Sequence, residues 1–184
     1  MGIVGDGLDK AAQHAFTRPI PKAAGAQMRY LVKQEKTTKA VAALLGISQR
    51  TVERYVKDQI KRPKADLASR LETEVKRRWQ PLVRKRARDR AAKQTGAVIE
   101  TRARFGFTAA PGTTDDGRMR RITQHLPPQF VGRLLAAQDA GGSEAELQQI
   151  AAQGLQEVYF KDGGGRAQGL LVEFTDIDYI GITF

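Results

Sequence analysis

The chain of 184 residues has no cysteine. That excludes a disulfide scaffold, an iron–sulfur cluster and a Cys-based zinc site. Histidine is nearly absent as well: His14 and His125 are the only two. A multi-histidine metal centre cannot be built from two, and a Ser/His/Asp triad could use only one of the pair. Long apolar runs are also missing. The longest, Ala40 to Ile47, falls far short of the roughly 20 residues that a membrane-spanning helix needs. The first residues, MGIVGDGLDK, lack the charged-then-apolar layout of a secretion signal. These absences lead to the expectation of a soluble, cytoplasmic protein with no membrane partner.

Positive charge is what the chain has in excess. Lys and Arg number 31 against 20 Asp and Glu, a net of +11. Residues 1–93 hold 23 of the basic and 9 of the acidic residues, +14, while residues 94–184 hold 8 and 11, −3. A basic half of this kind is the footprint of a polyanion partner, nucleic acid first. The near-neutral half is expected to have another task.

Residues 1–25 are broken by Pro19, Pro21 and several glycines and are expected to be a flexible segment. Residues 26–94 are expected to form a helical DNA-binding region. Met28, Leu31 and Val32 make one apolar stripe. In TTKAVAALLGISQRTVERYVKDQ, Thr38 can cap a helix carrying Val41, Ala42, Leu44 and Leu45. Gly46 can end it, and Ser48 can cap a second helix from Gln49 to about Gln59. A small residue at the crossing (Ala42), glycine in the turn (Gly46) and inward Val52, Tyr55 and Val56 are what a helix-turn-helix needs. The outward face is then Gln49, Arg50, Glu53, Arg54 and Lys57. Gln49 and Arg50 suit base edges in a major groove, and Lys57 suits phosphate.

A long basic helix follows, with Pro81 expected to kink or split it. From Lys76 to Lys93 there are nine basic residues and one acid, Asp89. Lys76, Arg77, Arg78, Arg84, Lys85, Arg86, Arg88 and Arg90 are therefore expected to contact the DNA backbone, ordering as phosphate neutralises them.

Residues 95–184 read as an α+β domain: a small antiparallel sheet packed by two helices. AVIETRARFGF alternates as a strand does, with Ile99, Thr101, Ala103 and Phe105 on one side. GRMRRITQHL fits a return strand, giving a long hairpin or two strands around an extended loop. Pro127–Pro128 opens a helix, Ser143 with Glu146 is a capping box for the next, and the chain ends in a β-rich tail. Three places in this half are chemically suggestive. Thr113, Thr114, Asp115 and Asp116 set two hydroxyls beside two carboxylates, and also fit a plain turn. Asp176 and Asp178 alternate onto one strand face, as a Mg²⁺-holding pair or as a polar outer face. Gly163–Gly165 with Arg166 reads as a turn and lacks a P-loop's Lys-Ser/Thr.

Taken whole, the chain resembles the telomere terminal proteins of linear actinomycete (Streptomyces-type) chromosomes and plasmids. The resemblance rests on KAVAALLGISQRTVERYV, KRRWQPLVRKRARDRAAK, FGFTAAPGTTDDGRMR and FTDIDYIGITF, and it spans essentially all residues. It implies a protein covalently joined to the 5′ ends of linear replicons, located with the nucleoid at those ends. It implies protein-primed end-patching replication, with a threonine hydroxyl accepting the first deoxynucleotide. On the matching residues that threonine is Thr114, with Thr113 the alternative and Asp115 and Asp116 in support. The implied partners are telomeric DNA with a 3′ overhang, a telomere-associated protein and a DNA polymerase. The protein is then a primer and substrate rather than an enzyme, with no cofactor of its own; Mg²⁺ and dNTP arrive with the polymerase. Two other readings of the residues are a helix-turn-helix regulator with an α+β dimerisation or effector half, and a Mg²⁺-dependent nuclease or nucleotidyltransferase using Asp176 and Asp178.

Overall fold

A computed structural model describes residues 2–108, 119–161 and 170–184. Among them the architecture is α+β, with eight α-helices and one small three-stranded antiparallel sheet. The chain divides into two compact units. One is contiguous, Thr17–Pro81; the other joins Met1–Phe16 to Leu82–Phe184. The dividing lines expected at residues 25 and 94 therefore lie elsewhere.

The contiguous unit is four helices, α2 (Ala24–Glu35), α3 (Thr38–Leu45), α4 (Gln49–Val56) and α5 (Ala65–Arg78). Met28 and Leu31 of α2, Val41 and Leu45 of α3, Val52 and Tyr55 of α4, and Leu71 and Val75 of α5 form its core. Each set recurs at three or four residues, which puts it on one helix face. The two ends of the unit are tied together: the Thr17 amide donates to Gln80 Oε1 at 3.0 Å, and Trp79 Nε1 donates to the Arg18 carbonyl at 3.1 Å. At Trp79–Gln80 the chain leaves the helical path, with Gln80 at φ 44°. Pro81 then starts α6 (Pro81–Arg90), where its missing N–H costs nothing. The expected long basic helix is thus two helices.

The second unit is built on the sheet, in strand order β2 (Met119–Leu126), β1 (Ala97–Thr108), β3 (Leu171–Thr183). Ala97 pairs with Leu126 and Arg104 with Met119; on the other side Val98 pairs with Thr183. Ile99, Thr101, Ala103 and Phe105 are buried, as their alternation predicts. They face helices α1 (Ile3–His14), α7 (Pro128–Asp139) and α8 (Glu144–Leu155), which supply Val4, Leu8, Val131, Leu134, Ile150 and Leu155 to the same core.

Helix α1 overturns the expectation of a flexible N-terminal segment. Gly7 serves close packing: a Cβ there would stand 3.3 Å from Ile182 Cδ1 of β3. Its first turn is capped from outside, by the Glu144 carboxylate accepting from the Val4 amide at 2.7 Å and the Gly5 amide at 3.3 Å. A carboxylate there satisfies orphan donors and complements the helix dipole.

Candidate nucleic-acid interface

The contiguous unit holds almost all of the excess charge. Thr17–Pro81 contains sixteen Lys and Arg against six Asp and Glu, +10 of the chain's +11. Five of those acids are engaged: Glu35 and Glu74 with Arg78, Asp58 with Arg29, Asp66 with Arg70, and Glu72 with Lys76. The sixth, Glu53, accepts the Gln49 side-chain amide at 3.0 Å. The cations left over are therefore uncompensated within the unit; α4 presents two of them, Arg50 and Arg54, and Lys57 follows directly after it.

The path from α3 to α4 is fixed by short-range chemistry. Thr37, one residue earlier than expected, caps α3 by accepting from the Ala40 amide at 3.0 Å. Gly46 ends it at φ 60°, the left-handed conformation that glycine adopts without penalty. Arg70 of α5 donates to the Leu45 carbonyl at 2.6 Å and to Asp66 at 2.8 Å, which fastens the turn from behind. Ser48 caps α4 by accepting from the Thr51 amide at 3.2 Å. Helix α4 buries Val52 and Tyr55 and exposes Gln49, Arg50 and Arg54, with Lys57 exposed just past its end. It ends at Val56, three residues short of expectation. Asp58 turns the chain at φ 55°, and Arg29 bonds both its carboxylate, at 2.7 Å, and the Val56 carbonyl, at 2.9 Å. Arg50, Arg54 and Lys57 make no ion pair among the described residues.

Several residues of the basic run after α4 have partners within the protein. Arg78 is a strut: it bonds Glu35 at 2.7 Å and also Glu74, with its side chain 20% exposed. Burial alone would favour a neutral Arg78, but the two carboxylates outweigh it and hold the guanidinium charged. Lys76 pairs with Glu72 at 2.6 Å and Arg77 with Glu74 at 3.1 Å. On α6, Arg84 bonds Asp9 at 3.0 Å, and Arg88 bonds Asp139 at 2.5 Å and Gln138 at 3.1 Å; both arginine side chains are 17% exposed. Helix α6 has no buried residue, so these arginines moor it to its own unit in place of apolar packing. Lys85 pairs with Asp89 at 2.7 Å, an exposed contact worth little that holds the Asp89 carboxyl below its ordinary range. Arg86 and Arg90 are exposed. Of the eight residues expected at the DNA backbone, Arg78, Arg84 and Arg88 are thus committed to internal contacts. Arg88→Ala is expected to destabilise the protein by about 1 kcal/mol in chemical denaturation, and to leave duplex affinity within about twofold, since no phosphate contact is lost.

The carboxylates Asp176 and Asp178 are both exposed on β3. Simple alternation does not hold between them: β3 bulges where Arg102 pairs with Tyr179 and Ala103 with Ile177. Asp178 bonds Arg102 at 3.0 Å. Across β1, Arg121 bonds Glu100 at 2.7 Å, which keeps its guanidinium charged beyond the ordinary range. The open sheet face is therefore laced by paired charges, with Tyr179 exposed among them. Among the described residues no group of three or more His, Cys, Asp or Glu is placed to hold a metal ion. Burial pushes both tyrosines of the helical unit, Tyr30 and Tyr55, above the ordinary phenol range, and Tyr30 donates to the Arg78 carbonyl at 2.5 Å. Thr113, Thr114, Asp115 and Asp116, and likewise Gly163–Gly165 with Arg166, lie outside the described residues. Among the described residues no helix is long and apolar enough to cross a membrane.

No family model, no curated protein and no solved structure matches the chain.

Proposed function

We propose that the protein binds duplex DNA through a helix-turn-helix formed by α3 and α4 and serves as the protein primer at the ends of linear replicons. The observation that carries the DNA-binding part is the charge of the contiguous unit, +10, together with the uncompensated Arg50, Arg54 and Lys57 on and beside α4. A helix of that width fits the major groove, with Gln49 and Arg50 at its leading end toward base edges and Lys57 toward phosphate.

The priming part rests on the resemblance to telomere terminal proteins, carried in that region by FGFTAAPGTTDDGRMR. In it the Thr114 hydroxyl attacks the α-phosphate of a dNTP held by a partner DNA polymerase. The new bond is a phosphodiester to Oγ of Thr114; the bond to the β-phosphate breaks and pyrophosphate leaves. The hydroxyl proton passes to a base on the polymerase, whose metal ions supply the activation. Asp115 and Asp116 orient the segment, and Thr113 is the alternative acceptor. A telomere-associated protein delivers the chain to the 3′ overhang.

The test is extraction of DNA without protease from cells that make the protein. The expected result is that the protein stays on terminal restriction fragments through detergent and denaturant, and leaves internal fragments. A helix-turn-helix regulator would instead come off in denaturant and be recovered free of DNA.

A further inference from the structure

The loop between α4 and α5 carries the densest uncompensated charge of the helical unit. Lys57, Lys61, Arg62 and Lys64 fall within eight residues, all exposed, and none makes an ion pair among the described residues. The loop's one acid, Asp58, is taken by Arg29. Its backbone is fastened on both sides of the Lys61–Arg62 pair. Before it, the Gln59 amide donates to the Arg54 carbonyl at 2.9 Å, and Ile60 packs on the helical core. After it, Pro63 is half-buried and fixed in φ, and α5 begins at Ala65. Lys61 and Arg62 therefore stand at the tip of a short, held loop with little backbone freedom left to lose on binding.

We propose that this loop is a minor-groove contact on duplex DNA, with Arg62 as the residue that enters the groove and Lys61 beside it. It rests on the DNA-binding part of the proposed function and is independent of priming. The minor groove, about 6 Å wide, admits an extended chain and excludes a helix, whereas the major groove takes one. The chain after Asp58 is non-helical, and α4 directly before it suits the wider groove. Arginine is the better cation in the minor groove because its guanidinium is weakly hydrated, and A·T-rich minor grooves are narrow and concentrate negative potential. The guanine 2-amino group obstructs the same floor. The loop thus selects A·T over G·C pairs beside whatever α4 reads.

Inosine separates the grooves, because an I·C pair has the minor-groove floor of A·T and the major-groove edge of G·C. The experiment measures binding of the full chain to three duplexes about two turns long, of alternating A·T, I·C and G·C. The expected result is binding to I·C roughly tenfold tighter than to G·C, the two duplexes that share a major-groove edge and differ in the minor groove, with A·T also tighter than G·C. Arg62→Ala is expected to erase that difference, with circular dichroism and melting temperature unchanged because the side chain is exposed. I·C binding equal to G·C binding, or a preference that survives in Arg62→Ala, overturns the inference. If Arg50→Ala/Arg54→Ala/Lys57→Ala binds all three duplexes as the wild type does while the groove preference stands, the loop is upheld and α4 as the reading helix fails.

Discussion

Arg50→Ala/Arg54→Ala/Lys57→Ala is expected to weaken duplex binding by about a hundred- to ten-thousand-fold at physiological salt. Each lost base-edge or phosphate contact costs roughly 1–2 kcal/mol when its partner is a polyanion. The logarithmic salt slope is expected to fall by about 2–3, since each phosphate neutralised contributes roughly 0.9. Stability is expected to be unchanged or slightly higher. The three side chains are exposed and make no ion pair among the described residues, while alanine is the best helix former. That pairing of a large binding loss with intact folding distinguishes an interface from a core. Binding isotherms at several salt concentrations, with a denaturant melt as control, measure both. Affinity within threefold of wild type would remove α4 from the DNA interface.

The reason that α4 was legible in the sequence is that its determinants are local. Gly46 and Ser48 act within one turn, and Val52 and Tyr55 mark the inner face by spacing alone. The same holds for β1, where burial follows alternation from Ile99 to Phe105, and for Ser143, which caps α8 as expected by accepting from the Glu146 amide at 3.2 Å. What the sequence concealed depends on distant partners. Gly7 looks like a helix breaker until Ile182 of β3 lies against it. Arg84 and Arg88 look like part of a self-repelling run, yet their carboxylates come from positions 75 and 51 residues away. Counting acids at i+4 cannot find Asp9 or Asp139, so the internal pairing of these arginines is not legible in the run itself. A similar long-range cause cut α4 short, because Arg29 on α2 holds the turn at Asp58.

The division into units changes how the charge is read. The sequence split at residue 93 mixes two kinds of cation: exposed ones with no ion pair among the described residues, such as Arg50, Arg54 and Lys57, and internally paired ones, such as Arg78, Arg84 and Arg88. Once the latter are set aside, the candidate interface contracts to α4 and the loop that follows it. Lys61, Arg62 and Lys64 were missed by a search for helical faces because they belong to none. The signal that could have found them was present, a KRPK cluster directly after the second helix.

The second large effect concerns Thr114. In the proposed reaction only its hydroxyl oxygen becomes bonded to phosphorus, so Thr114→Ala removes the nucleophile outright and no rearrangement of neighbours can replace it. Loss of a nucleophile of this kind is expected to lower the rate by at least about a thousandfold, below detection in an end-point assay. Thr114→Ser retains a hydroxyl and is expected to keep measurable transfer. Thr113→Ala is expected to leave transfer largely intact, which separates the two neighbours. DNA binding by Thr114→Ala is expected to equal wild type, because the proposed interface on α4 is untouched.

The most direct measurement is therefore label transfer. Wild-type chain and Thr114→Ala are each incubated with the cellular DNA polymerase, the telomere-associated partner, an overhang template and labelled dNTPs, then run on a denaturing gel. The account predicts a labelled band at the mass of the wild-type chain, resistant to denaturant and absent from Thr114→Ala. Equal labelling of Thr114→Ala would exclude Thr114 as the acceptor. No labelling of the wild-type chain, under conditions where the polymerase extends an ordinary primer, would contradict the protein-primer account.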